Sequence, residues 1–192
     1  MNNCFDKSKW IWYKDTTVNQ YVDFRCDFNL DNTDEVYLHI SIDSRYAVYV
    51  NGKFVPAFQY ADYPEYKVYD SVDISSYVCV GNNSLVIVGY YQGVDSTVYR
   101  LGEAGLIFAI TNKENIVAFS DKSISCRQSL DYTNGKIERI SEQLSYSFRY
   151  NMANYDGFKD VIKGLSEKLA EGNALSIANA LCVNETIKGS IK

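Results

Sequence analysis

From Val36 to Val94 the chain alternates apolar and polar residues with a period of two. Val36, Leu38, Ile40 and Ile42 share one face, while Tyr37, His39, Ser41 and Asp43 share the other. A half-buried β-strand reads this way, because successive side chains point to opposite faces. Tyr46, Val48 and Val50 repeat the pattern and run directly into Asn51-Gly52. Both central residues of a type I′ turn need positive φ, which Asn and Gly tolerate best, so a hairpin is predicted there. Residues 19–30 alternate as cleanly, with Val22, Phe24, Cys26, Phe28 and Leu30 inward and Asp23, Arg25, Asp27 and Asn29 outward. Leu85 to Tyr90 is apolar on both faces, as expected of a central strand covered on both sides.

Further elements fit around these rows. Trp10-Ile11-Trp12 reads as the opening of the first strand. Residues 57–67, which contain Pro64, read as a loop with exposed Tyr and acidic groups. Val72 to Val80 predicts a short strand with a turn at residues 73–77, and Gly81-Asn82-Asn83 a second sharp turn. Ala104 to Thr111 and Ile116 to Phe119 predict a closing hairpin around residues 112–115. About eight short strands with essentially no helix predict an all-β, two-sheet sandwich, a jelly roll. Past residue 120 the chain is more polar, with a turn at Asn134-Gly135. Phe158, Val161, Ile162, Leu165 and Leu169 then make an amphipathic helix face over about 157–171, which Gly164 weakens and Gly172-Asn173 would end. The predicted division is a jelly-roll sandwich over 1–120 and, over 121–192, a partial second β-region with that helix.

Composition narrows the classes of function. A net charge of −5 argues against nucleic acid, which is bound chiefly by neutralising phosphates with Lys and Arg. There is no Lys/Arg run for a membrane surface and no apolar stretch of the ~18 residues needed to span a bilayer. The opening MNNCFDKSKWIWYK lacks the apolar core of a signal peptide. Five widely spaced cysteines (Cys4, Cys26, Cys79, Cys126, Cys182), none in a C-x-x-C, fit reduced thiols in a cytoplasm, with Cys26 and Cys79 at positions that read as buried.

Catalytic machinery is not legible. The single His39 alternates outward with no H-x-E or H-x-x-x-H spacing, so a zinc or Ser-His-Asp site lacks its components. G-x-S-x-G and the phosphate-binding glycine patterns are absent. Carboxylates are plentiful (Asp43, Asp62, Glu65, Asp70, Asp73, Asp95, Glu103), but no spacing shows two of them facing across a cleft, as glycoside hydrolysis requires. Asp73 reads as a turn residue that caps nearby amides. The candidate binding set is Tyr60, Asp62, Tyr63, Tyr90, Tyr91 and Tyr99, with Tyr66 close by: a Tyr ring can lie on the C–H face of a sugar while carboxylates take its hydroxyls. Tyr is equally at home at protein interfaces or in packing. No cofactor is expected, although loops of such sandwiches can offer oxygens to a structural Ca²⁺.

The string IDSRYAVYVNGKFV, followed by YDSVDISSYVCVGNNSLVIVGYY, resembles the N-terminal β-sandwich of bacterial α-L-rhamnosidases of glycoside hydrolase family 78. KWIWYK, FRCDFNL and the segment from Ser125-Cys126-Arg127 to Arg139–Leu144 fit the same family. The similarity covers about residues 8–150. Weaker similarity exists to the sugar-binding domain of family 2 glycosidases, through VNG and the D-[IL]-[ST]-x-Y…G-x-N turns. Ile124-Ser125 stands where the family often has Trp before C-R, and Tyr150-Asn151-Met152-Ala153 where it often has Y-D-A-R, so the second β-region diverges. The resemblance implies a galactose-binding-domain-like jelly roll, without catalytic residues of its own. It further implies that the catalytic carboxylates lie in a downstream α/α-barrel of the same polypeptide, too large for the residues after 150, and that rhamnose-containing glycans are the substrates of the whole enzyme.

Overall fold

The computed structural model describes residues 4–59, 62–139 and 141–154. Among these residues nine strands form: β1 (Gln20–Leu30), β2 (Val36–Asp43), β3 (Arg45–Val50), β4 (Lys53–Val55), β5 (Asp70–Asp73), β6 (Gly81–Tyr91), β7 (Gly105–Asn112), β8 (Asn115–Phe119) and β9 (Ser125–Gln128). They build a five-stranded sheet, β4-β3-β6-β1-β9, and a four-stranded sheet, β5-β2-β7-β8, with every pairing antiparallel. The all-β sandwich expected from the alternation is therefore the fold. The predicted helix over 157–171 lies outside the described residues.

The core is the layer between the sheets. Val22, Phe24, Ile87, Leu85 and Val48 from one sheet meet Leu38, Ile40, Ile42, Leu106, Phe108 and Ile110 from the other, all essentially solvent-free. Each such side chain contributes about 1.5–3 kcal/mol by leaving water. The sheets pack tightly at Gly89, where a Cβ would stand 2.9 Å from Ile42 Cδ1 and 3.2 Å from Phe24 Cε2. A glycine is needed there because the space belongs to the opposite layer.

The Asn51-Gly52 turn has φ of 50° and 74° at its two centres and joins β3 to β4 with Val50 opposite Lys53, as the type I′ reading requires. Asn51 also accepts from the Ser84 amide at 2.9 Å, tying the turn to β6. β6 is central and covered on both faces. Its outer side packs Val86 against Tyr49 and Phe54, and Tyr90 against Tyr21, which stacks in turn on Tyr132 at 4.0 Å. Residues 129–139 and 141–150 lie over that face, held by the Asn134 side chain on the Tyr21 amide (2.6 Å) and by Asn19 on the Gly135 carbonyl (2.9 Å).

Four local expectations change. The turn expected at Gly81-Asn82-Asn83 is instead the start of β6, paired with Leu30, Asn29 and Phe28 of β1. Trp10-Ile11-Trp12 is not a strand: only Ile11 pairs, with Leu106, while Trp12 turns in to donate to Gln20 and Trp10 stays outside. The strand placed at 72–80 is Asp70–Asp73; Ile74 then dives into the core and Asp73 caps the Ser75 amide at 2.9 Å, which ends the extended run. Cys79, read as buried, is exposed just before β6, and Cys26 is half-buried at the sandwich edge. No helix among the described residues is long and apolar enough to cross a membrane.

Candidate functional site

Ser41 and Asp43 alternate outward on β2, yet both are buried. The loop between β4 and β5 folds over this end of the four-stranded sheet and covers them. Gln59 anchors it with two bonds to the Ile42 backbone, accepting from the amide and donating to the carbonyl, each at 2.7 Å. The Ser41 hydroxyl donates to the Val68 carbonyl at 2.6 Å. The Gln59 bonds satisfy Ile42 backbone groups beyond Ile40, where β5 stops pairing with β2, and the Ser41 bond satisfies a loop carbonyl.

An ionic clamp closes the loop. Lys67 Nζ lies 2.7 Å from Asp62 Oδ1 and 3.4 Å from Asp43 Oδ2. Asp62 Oδ2 accepts from the Val68 amide (2.9 Å) and from Gln59 (3.3 Å), and Asp43 Oδ1 accepts from the Tyr99 hydroxyl. All four carboxylate oxygens are thus taken by protein donors. The Asp43 and Asp62 side chains are 4% and 8% exposed and Lys67 is 22% exposed. Burial pushes the Asp43 carboxyl above the ordinary aspartate range, against the lowering pull of Tyr99 and Lys67. Tyr99 is pushed up as well, by burial and then by the carboxylate that it must serve as a donor. The next loop arrives through Gly102, where a Cβ would collide with the Asp43 carboxylate.

Beside the clamp opens a cleft of about 510 Å³, bordered by Trp10, Asp43, Pro64, Glu65, Lys67 and residues 102–105. Gly105 stands opposite Asp43 in the β2–β7 register, and a Cβ on it would meet Trp10 Cε3 at 2.9 Å. The missing side chain is what lets the indole lie against the start of β7 next to the clamp. A smaller pocket on the other side of Asp62 and Tyr99 is bordered by Phe58, Val98, Arg45 and Gln92.

Among the described residues, the tyrosines anticipated as binding residues do not converge. Tyr60 lies outside the described residues. Tyr63 is exposed, on a tight turn whose Tyr66 amide bonds back to its carbonyl at 3.0 Å. Tyr90 and Tyr91 are only 7% and 8% exposed, so neither offers a ring face to a ligand. Both sit at the end of a strand whose two faces are covered: Tyr90 packs on Tyr21, and Tyr91 packs on Trp12 and donates to the Gly102 carbonyl at 2.9 Å. Tyr99 and Asp62 both belong to the clamp, Tyr99 through Asp43 and Asp62 through Lys67. The residue missed is Trp10. Strict alternation would send both indoles of Trp10-Ile11-Trp12 to one side; the fold instead turns Trp12 in and leaves Trp10 outside.

The remaining candidates are accounted for locally. Asp70 accepts from the Tyr46 hydroxyl at 2.5 Å and Asp95 from the Leu101 amide at 2.8 Å. His39 bonds Ser71 and Thr111 through its two ring nitrogens, and burial lowers its pKa. Among the described residues no group of three or more His, Cys, Asp or Glu is arranged to hold a metal ion.

No family model matches the chain, and no curated protein matches it significantly. Solved structures do. A glycoside hydrolase family 78 rhamnosidase from Bacillus sp. GL1 is 28% identical, with a TM-score of 0.62 over 66% of this chain and 14% of that one. The α-L-rhamnosidase from Dictyoglumus thermophilum shares the fold at 19% identity and a TM-score of 0.52, over 72% of this chain and 19% of that one. The chain therefore resembles one region of a family 78 rhamnosidase and spans less than a fifth of either enzyme's length.

Proposed function

We propose that this chain is a non-catalytic β-sandwich domain of an α-L-rhamnosidase-like glycoside hydrolase, which packs beside a catalytic domain of the same polypeptide and supports it. The observation that carries this reading is the 28% identity to a stretch making up only 14% of a rhamnosidase. Likeness to so small a share of an enzyme is what a supporting domain would show. The chemistry of the rim agrees. Glycosidases need one carboxyl to give a proton and a second, unencumbered one to act as base or nucleophile. Asp43 and Asp62, the buried carboxylates of this rim, are both bound to Lys67 and to further donors, so they hold a loop in place. Incubation of the purified chain with an aryl α-L-rhamnoside is expected to give no turnover above buffer. Turnover that disappears in Glu65→Gln or Glu103→Gln would overturn the reading.

A further inference from the structure

Trp10 sits on a pinned segment at the edge of the fold, yet the residue is 49% exposed. The backbone on either side is pinned: the Lys9 amide donates to the Ser120 carbonyl at 2.7 Å, and Ile11 exchanges two 2.9 Å bonds with Leu106. One part of the ring rests on Gly105, and the rest borders the cleft. Leaving this much rigid aromatic surface in water forgoes stabilisation that burial would provide, and it is what a stacking platform requires. Across the cleft stands Pro64, and Glu65 and Glu103 are exposed on its borders. The site thus has an aromatic floor, a small apolar wall and carboxylates that can only accept hydrogen bonds.

This combination selects a ligand. The bordering charges are three carboxylates (Asp43, Glu65, Glu103) against one ammonium, Lys67, which is already shared by Asp43 and Asp62. An anionic ligand is disfavoured. A wholly apolar one would leave the carboxylates without donors. A neutral ring with a C–H face and a rim of hydroxyl donors satisfies both halves.

We infer that the Trp10 cleft is a subsite for one neutral sugar ring, stacked on the indole with its hydroxyls donating to Glu65 and Glu103. The choice of a sugar rests on the rhamnosidase-like reading; the location rests on the geometry. The tyrosines of the neighbouring loop are not part of it, since neither Tyr63 nor Tyr66 borders the cleft.

The test is an NMR titration of the ¹⁵N-labelled chain with L-rhamnose, D-galactose and D-galacturonate at low salt, following the two indole N–H signals. Trp10 is expected to shift saturably with a neutral sugar, with a dissociation constant on the order of 1–10 mM, as suits a ligand of about eleven heavy atoms. Trp12, whose indole donates to Gln20 at 2.9 Å, should stay still. Galacturonate should bind several-fold more weakly, and Glu65→Gln/Glu103→Gln should narrow that gap. Gly105→Ala, whose methyl would stand where the ring lies, should weaken binding about tenfold without loss of fold. Tyr63→Ala/Tyr66→Ala should change nothing. A flat Trp10 signal with all three sugars, or binding lost in the double Tyr variant, overturns the subsite. Neither result touches the supporting-domain reading, which falls only to rhamnoside turnover.

Discussion

Replacing Lys67 with Met tests whether the loop over β2 is held electrostatically. Met keeps most of the aliphatic stem but removes the cation between Asp43 and Asp62, leaving two nearly solvent-free carboxylates facing each other. Removing one partner of a buried ion pair typically costs 3–5 kcal/mol; with Lys67 partly exposed, a loss on the order of 2–3 kcal/mol is expected. For a domain of this size that lowers Tm by roughly 4–12 °C. The loss carries a pH signature. The Asp43 carboxyl already sits above its ordinary value of 3.8. The folded state therefore holds its proton more tightly than the unfolded chain does, and stability falls as pH rises from 3.8 through the raised value. Without the cation that value climbs further, so the penalty of Lys67→Met should be larger at about pH 7 than at about pH 4. Adding Asp43→Asn should restore part of the loss at neutral pH, because Asn still accepts from Tyr99 and carries no charge. Thermal scans of the three variants at both pH values make the measurement. Equal penalties at both pH values, or strictly additive substitutions, would refute the clamp.

Other consequences arise from packing and burial. Gly89→Ala places a methyl between Ile42 and Phe24, both solvent-free, and should destabilise by about 1–3 kcal/mol, read as a lower urea midpoint at unchanged slope. The Cys26 thiol is pushed up to about 11 by burial, with Asp27 and Asp121 adding to the shift, whereas Cys79 is exposed. Iodoacetamide at mildly alkaline pH should therefore modify Cys79 well before Cys26, and mass spectrometry showing equal rates would contradict the burial seen at the sandwich edge.

Strand identity was written locally. The alternation through Val36, Leu38, Ile40 and Ile42, the apolar run from Leu85 and the Asn51-Gly52 turn named three elements and their inward faces, because a strand's two sides repeat every second residue and a turn's φ demands are met by its own two residues. The likeness to a rhamnosidase region was legible for the same reason, as an order of such elements along the chain.

No local pattern contains which surface covers which. Ser41 and Asp43 alternate outward like exposed residues, and only the arrival of a loop some twenty residues later buries them. Tyr90 and Tyr91 come after a glycine near a loop and read as accessible, but residues from 12 to 132 close over them. Asp43, Asp62, Lys67 and Tyr99 form one clamp from four places in the chain, and Trp10 gains its cleft because Gly105 lies across the register from Asp43. Period and turn chemistry belong to neighbouring residues and survive in the bare sequence. Burial, ion pairing and cleft shape belong to residues brought together by the packing of two sheets, and they come into being only with that packing.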